Sequence, residues 1–350
     1  MQSKVKFPQI DSPVHCIMTK SHSHTRRSTL KSIAACALFM PASQAFSQNF
    51  PSKPIRWIIA SGAGSSLDAI ARAMQERLAA TLGQPIVIEN RPQAGGTVAT
   101  NEVAKSATDG HTWLLGFNGP VAFAPFLYSK LPYNPLKDLA PVVITTSQPN
   151  IIAVNSNVPA NNMKELVALL KANPGKYNYA SVGNGSSSHL TMEYLKALTG
   201  TFAVHIPFNG GPPAAMATAG GDTQILATVP TVIMPQVRAG RMKALAVTGK
   251  SRYSLTPELP TVESTGIKEL NGFEAIAWNG VLVAAGTPRP IIDRINAAIN
   301  AAMKEASVME RMKTAGLDAV GGSADDFGKL IADEAKKWEP IIKRSGAKLD

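Results

Sequence analysis

The sequence predicts an α/β fold with largely parallel sheets, spread over about two domains. Three observations carry this expectation. Short apolar runs bounded by turn residues alternate with helical patterns from about residue 50 onward, as in chains where strands are linked by crossover helices. The length, 350 residues, exceeds what one small core accommodates. One unit, a strand followed by a Gly/Ser loop and a helix, also occurs twice, roughly 120 residues apart. It appears at 57–82, around Ser61-Gly62-Ala63-Gly64-Ser65-Ser66, and at 177–198, around Gly183-Asn184-Gly185-Ser186-Ser187-Ser188.

Residues 1–47 read as an export signal: Arg26-Arg27 precede a short apolar run at 33–40, and small residues allow cleavage after Ala45 or Ser47. The run is far short of the roughly 20 residues that span a bilayer. The arginine pair resembles a twin-arginine signal, with a Sec signal as the alternative, and Met18 is a second candidate start. Both cysteines, Cys16 and Cys36, fall in this leader, so the remainder carries no disulfide and no thiol chemistry. The formal charge is +11, but the leader holds six Lys/Arg and one Asp. Without it 29 basic face 23 acidic residues, a net +6 with no basic block. With aromatics at only 6%, nothing suggests a stacking, phosphate-tracking nucleic-acid surface.

Along the rest of the chain, strands are expected at 57–60, 86–89 and 112–116, with helices from Leu67 and from Thr97. Two prolines, Pro132 and Pro135, make 131–136 irregular. Strands at 142–145 and 151–154 flank Pro149, where the chain crosses into a second lobe. There a helix at 163–171, the second Gly/Ser unit, a strand at 203–206, a small-residue helix to Ala219, strands at 224–228 and 243–248 and a helix at 231–238 follow. The run 273–285 is long enough to pass between lobes, and helices at 290–302, 308–315 and 324–342 close the chain. The domain expectation is 48–148 for the first part of lobe 1, 149–275 for lobe 2 and 276–350 for the rest of lobe 1. In such sheets ligands lie beyond the carboxyl ends of the strands, where both Gly/Ser loops sit.

Each loop opens a helix, whose first amides lack intrahelical acceptors and carry partial positive charge. With glycine to admit close approach and serine to donate, either loop is suited to an anion; either is also consistent with a plain serine cap. Catalytic motifs fail. Gly249-Lys250-Ser251 lacks the earlier glycine of a phosphate loop, having Ala244 there, and Gly62-Ala63-Gly64 is followed by Leu67 where a dinucleotide fingerprint needs glycine. No GxSxG surrounds any serine, and His111, His189 and His205 have neither HExxH nor metal-ligand spacing. No catalytic residue, metal or cofactor is therefore expected, and the residues describe a binding protein.

Several stretches carry a family resemblance: SKPIR (52–56), LGQPIVIENRPQAGG (82–96), DGHTWLLG (109–116), LPYNPLKDLAPV (131–142), ANPGKYNYASVGNGSSSHL (172–190), HIPFNGG (205–211), AGRMKALAVT (239–248), LPTVEST (259–265) and AAGTPRPIIDRIN (284–296). Together they span the chain from about Phe50 and resemble the Bug family, the TctC-type periplasmic receptors of tripartite tricarboxylate transporters. The resemblance implies a type II periplasmic binding protein, two α/β lobes joined by crossing strands around a ligand cleft. It further implies a periplasmic location, a small carboxylate ligand, inner-membrane permease subunits as partners, and a monomer.

The ligand-binding positions it implies are Gly64, Ser65, Ser66 and Asp68 in the first loop, Asn118 and Gly119 after the third strand, and Ser181, Asn184, Gly185, Ser186, Ser187 and His189 in the second unit. Phe208, Asn209 and Thr228 complete the set. The family's first loop usually reads PFPPGGSTD, where this chain has ASGAGSSLD, so that Ser61 replaces an aromatic residue. Gln224 and Thr228 stand where acidic residues are usual. Fewer carboxylates leave an ammonium group without a partner, while Leu67, Phe117, Phe208 and Trp278 offer an apolar wall. The expected ligand is a mono-, di- or tricarboxylate, aromatic acids included, rather than an amino acid, with Ser186 and Ser187 bonding its carboxylate. A receptor that signals to a membrane kinase and an exported hydrolase are the alternatives.

Overall fold

The computed structural model describes residues 50–349; the leader read at 1–47, its cleavage sites and both cysteines lie outside the described residues. Strand β1 (Ile55–Ile59) is fully apolar apart from Arg56 and runs into the first Gly/Ser loop. Helix α1 (Ser66–Leu82) follows. Ser65 caps it, its Oγ accepting from the Asp68 amide at 3.3 Å, and Gly83 ends it at φ 72°, a conformation that suits glycine. The stripe Leu67, Ala71, Met74, Leu78 and Leu82 is buried throughout. Strand β2 (Ile86–Asn90), helix α2 (Thr97–Ala104) and strand β3 (Thr112–Phe117) come next. Beyond β3 the backbone winds through a π-helical turn at Gly119–Phe123 into the short helix α3 (Ala124–Leu127). The tract 131–136 is not wholly irregular. Asn134 caps a short helix α4 (Pro135–Asp138), and Pro135 opens it at the first helical position, where its missing N–H costs nothing.

Strand β4 (Leu139–Pro149) is longer than the sequence suggests and delivers the chain to β5 (Ile151–Asn155) in a second sheet. The second lobe then holds α5 (Met163–Ala172), β6 (Asn178–Ser181), α6 (Ser187–Thr199), β7 (Val204–Pro207), α7 (Gly211–Gly220), β8 (Ile225–Thr228), α8 (Pro230–Arg238) and β9 (Met242–Val247). Strand β10 (Ile276–Ala284) returns to the first sheet, and α9 (Arg289–Met303), α10 (Ala306–Thr314) and α11 (Ala324–Ser345) finish the chain. The sheet orders are β2-β1-β3-β10-β4 and β7-β6-β8-β5-β9. As expected the sheets are largely parallel, four of the five strands in each running the same way and one against them. β10 is antiparallel to both β3 and β4, and β5 to both β8 and β9. The cause is topological: these are the two strands that enter a lobe from the other one, so they arrive against the direction of the strands already there.

The crossing is held by a small knot of main chain. The Asn150 amide donates to Thr248 Oγ1 at 2.8 Å, the Thr248 amide donates to the Asn150 carbonyl at 2.9 Å, and the Ala275 amide donates to the Thr248 carbonyl at 2.9 Å. Helix α11 lies along this junction. Trp338 packs on Phe123 of the first lobe at 4.9 Å and on Tyr194 of α6 at 5.8 Å. Buried Glu334 accepts from the indoles of Trp278 and Trp338, and desolvation raises its pKa. Gly280 of β10 faces the ring of buried Phe327, where a Cβ would sit 2.2 Å from Cζ. Gly280→Ala is therefore expected to destabilise the fold by about 1–3 kcal/mol through overpacking, read as a lower urea midpoint, and Phe327→Leu in the same chain to recover part of it.

Behind the second Gly/Ser loop, Tyr179, His205 and His189 stack in that order, with centroids 4.8 Å and 4.0 Å apart. His189 Nδ1 accepts from the Gly185 amide at 3.1 Å, and His205 Nε2 lies 2.6 Å from Ser181 Oγ. Burial, then the nearby Lys196 ammonium, pushes His189 down to about 4. Burial, then His189 itself, pushes His205 down to about 3. In the unfolded chain each titrates near 6.5, so between there and the folded values only the unfolded state takes up protons. Stability contributed by the neutral pair is complete above about pH 6.5 and declines as pH falls through the window. Urea midpoints should thus drop from pH 7 to pH 5, and drop less in a His189→Gln/His205→Gln variant; equal slopes would contradict the assignment.

Candidate functional site

A cavity of about 260 Å³ lies between the two lobes. From the first lobe, Ser61, Ser65, Ser66 and Leu67 of the β1–α1 loop reach it, with Phe117 and Asn118 at the end of β3 and Ala94 and Gly95 after β2. From the second lobe come Asn184, Ser186, Ser187 and Ser188 at the start of α6, Phe208 and Asn209 after β7, and Thr228, Val229 and Val232 around the start of α8. The crossing strands contribute Asn150, Ala277, Trp278 and Asn279. No Asp, Glu, Lys, Arg or His is among the lining residues. Polarity there comes from neutral side chains and from backbone.

Two helix N-termini open on this space. Ser66 and Leu67 begin α1, and Ser187 and Ser188 begin α6. Amides at these positions have no intrahelical acceptor, and the aligned peptide dipoles add partial positive charge. The hydroxyl of Ser188 is buried with no hydrogen-bond partner among the described residues. Apolar walls complete the cavity: Leu67, Phe117, Phe208 and Trp278, as grouped from the sequence, with Val229 and Val232 beside them.

Of the sequence-expected positions, Ser65, Ser66, Asn118, Asn184, Ser186, Ser187, Phe208, Asn209 and Thr228 line the cavity. The other six do not, and each has a structural task. Asp68 is buried, accepting from the Gly64 amide at 2.9 Å and the Arg72 guanidinium at 3.0 Å. Burial opposes its charge, but Arg72 and the Gly64 amide outweigh it and hold the carboxyl below its usual range. Gly64 makes the turn at φ 76°. Ser181 and His189 lie behind the loop, with Ser181 against His205 and His189 holding the Gly185 amide, so neither His189 nor that amide faces the cavity. Gly119 and Gly185 are places of close approach: a Cβ on Gly119 would sit 2.9 Å from the Gly185 carbonyl oxygen across the cleft. Ser186 lines the cavity, but its hydroxyl donates to the Gly183 carbonyl at 2.6 Å while accepting from the His189 amide, so its one hydrogen is already spent.

Sequence reasoning missed Asn150 and Asn279. Asn279 Nδ2 donates to Thr146 Oγ1 at 2.7 Å, and Asn150 Nδ2 donates to Ser187 Oγ at 2.8 Å and Thr191 Oγ1 at 2.9 Å. A polar residue in the otherwise apolar run 149–154, at the point where the chain changes lobe, was the available signal for Asn150. The lobes also meet at the cavity rim. A Cβ on Gly95 would sit 2.4 Å from the Asn184 carbonyl oxygen there, and elsewhere the Tyr253 hydroxyl donates to Asp318 Oδ2 at 2.7 Å. Among the described residues, no group of three or more His, Cys, Asp or Glu is placed to hold a metal ion, and no helix is long and apolar enough to cross a membrane.

Comparison with known proteins places this architecture. The UPF0065 protein in the tcbD-tcbE intergenic region of Pseudomonas sp. strain P51 is 34% identical over 314 residues, covering 89% of this chain and 92% of the relative. The protein BugT of Bordetella pertussis is 33% identical over 318 residues, covering 91% and 96%. Among solved structures, Rpa4515 of R. palustris with adipate superposes with a TM-score of 0.79 at 28% identity, covering 85% of this chain and 98% of that one. MatC of Rhodopseudomonas palustris with bound malate gives 0.78 at 31%, covering 84% and 100%. The periplasmic binding protein BugD gives 0.78 at 30%, covering 85% and 99%. The sequence model of the tripartite tricarboxylate transporter family receptor, TctC, matches residues 70–347, and the chain belongs to that family.

Proposed function

We propose that this chain is a periplasmic receptor that captures a small carboxylate between its lobes and delivers it to the membrane permease of a tripartite tricarboxylate-type transporter, acting as a monomer. The observation that carries the reading is the cavity itself, where the starts of α1 and α6 converge on a space lined by no charged side chain. Helix N-termini stabilise an anion without a lysine or arginine. The absence of a lining carboxylate leaves an ammonium group without a partner, so an amino acid is disfavoured, while Leu67, Phe117, Phe208 and Trp278 suit an aliphatic or aromatic body. A mono- or dicarboxylate, aromatic acids included, meets these conditions. The adipate and malate carried by solved relatives are in keeping with that class. Binding rather than catalysis is supported by the setting of Ser187. Its hydroxyl oxygen takes a proton donor from Asn150, and the histidine two residues on is turned to the other side of the loop.

A thermal-shift panel of citrate, succinate, malate, adipate, nicotinate, terephthalate and glutamate tests the reading. Stabilisation by at least one of the acids without an amino group is expected; stabilisation by glutamate alone, or by none of them, overturns it. Against the acid that binds, Ser187→Ala should lose about 1.5–3 kcal/mol of binding free energy, as for a hydrogen bond to a charged group, measured by calorimetric titration.

Gly95→Ala places a methyl group against the Asn184 carbonyl oxygen. It is expected to hold the lobes apart, giving a larger radius of gyration in saturating acid than the wild-type chain shows, by small-angle scattering. Equal radii would mean that this contact does not limit closure.

A further inference from the structure

Ser187 has a partner whose consequence lies in proton bookkeeping. Asn150 is 1% exposed, lines the cavity, and has its main chain fixed by Thr248 on both the amide and carbonyl sides. Its side-chain nitrogen has two hydrogens and no lone pair to offer, and it spends one on Ser187 Oγ and the other on Thr191 Oγ1. A serine hydroxyl has one hydrogen and two acceptor sites. With Asn150 occupying an acceptor site from the junction side, the Ser187 hydrogen is left to point elsewhere, and Ser187 itself lines the cavity. The same hydroxyl turned round, donating toward Asn150, is excluded while that nitrogen faces it. Next to it Ser186 offers no competing hydrogen, having given its own to Gly183.

An ionised carboxylate only accepts hydrogen bonds, whereas a carboxamide presents two donors of its own. We propose that Asn150 sets the preference of this cavity for carboxylates over the matching carboxamides, by fixing the Ser187 hydroxyl as a donor toward the ligand. Asn150 is thus a positioning residue that acts through Ser187. The inference rests on the carboxylate reading of the cavity and adds to it a source of selectivity at the lobe junction, where no charge is needed. The link to Thr191 is a separate tie to α6 and serves as the control, since removing it leaves the Asn150–Ser187 bond in place.

The test is a double-mutant cycle read by calorimetric titration, with adipate and succinate and their mono-amides as probes. Wild type, Asn150→Ala, Ser187→Ala, the double variant and Thr191→Val are compared. The wild-type chain is expected to prefer each acid to its mono-amide. Asn150→Ala should weaken acid binding roughly tenfold, the size of one hydrogen bond to a charged group, and narrow the acid-to-amide ratio. The double variant should bind no worse than Ser187→Ala, because the two residues act as one unit, and Thr191→Val should keep the wild-type ratio. Should Asn150→Ala fail to fold, Asn150→Ser replaces it, keeping a polar group that cannot reach Ser187. An unchanged ratio in the Asn150 variant, or additive losses in the cycle, overturns the inference alone. Should the wild-type chain bind neither acid, the acid that binds in the thermal-shift panel and its matching amide take their place, and binding of no acid without an amino group overturns the carboxylate reading of the cavity and the inference with it.

Discussion

The architecture turns on the hydrogen-bonded knot of Asn150, Thr248 and Ala275. Three segments meet there, each carrying the chain from one sheet toward the other, joined by two main-chain hydrogen bonds and by the Thr248 hydroxyl that accepts from the Asn150 amide. Buried backbone polar groups must be paired, so the crossing cannot slide without breaking bonds that nothing nearby replaces. The sheets on either side are complete in themselves, each with five strands. Helix α11 covers the junction and touches both lobes through Trp338, which ties closure to packing along one helix. The knot also puts Asn150 where the cavity, the crossing and α6 come together.

Glycine does at the cleft what side chains do elsewhere. Gly95 and Gly119 each approach a backbone carbonyl of the opposite lobe more closely than any Cβ allows, and both carbonyls belong to the loop before α6. Close approach lets the lobes meet backbone to backbone, so that the two helix starts open on one small volume. Ala94 beside them adopts φ 48°, a left-handed conformation rare outside glycine. Its place in the cavity wall matches the tendency of such backbone to sit at functional sites.

Much of this was legible in the sequence, for reasons that can be named. The repeated strand–loop–helix unit showed itself because glycine, serine caps and apolar periodicity are local signals, and Leu67, Phe117, Phe208 and Trp278 were readable as one wall because large apolar residues near strand ends have few other places to go. The reversed direction of β5 and β10 was not legible, since apolar runs look alike whichever way they enter a sheet. Nor was the division of labour within Gly183–His189. Residue types singled out Ser186 and Ser187 as a matched pair for the carboxylate and left His189 among the implied positions, and only three-dimensional hydrogen-bond accounting separates them. Ser186 has given its hydrogen to Gly183, Ser187 takes one from Asn150, and His189 holds Gly185 from behind. Asn150 carried no motif, being a lone asparagine after Pro149 whose partners lie 37 and 41 residues away.

A cavity without charged side chains divides recognition into two parts that can vary separately. On the proposed reading the anion end rests on amides at helix starts, which every non-proline residue supplies, so substitution in those loops would change shape more readily than the sign of charge accepted. The apolar part of the cavity is walled by Leu67, Phe117, Phe208, Trp278, Val229 and Val232, so on the proposed reading each change of side-chain volume there alters fit directly, burial of apolar surface being worth about 25 cal/mol per Å². Leu67 shows the separation within one residue: its amide belongs to the N-terminus of α1 and its side chain to the apolar wall. Replacing it with a smaller residue would enlarge the space while leaving the amide in place. If the cavity takes a carboxylate as proposed, selectivity among acids of one charge is a matter of the wall, and selectivity for the ionised group a matter of the loops and of the Ser187 hydroxyl bonded to Asn150.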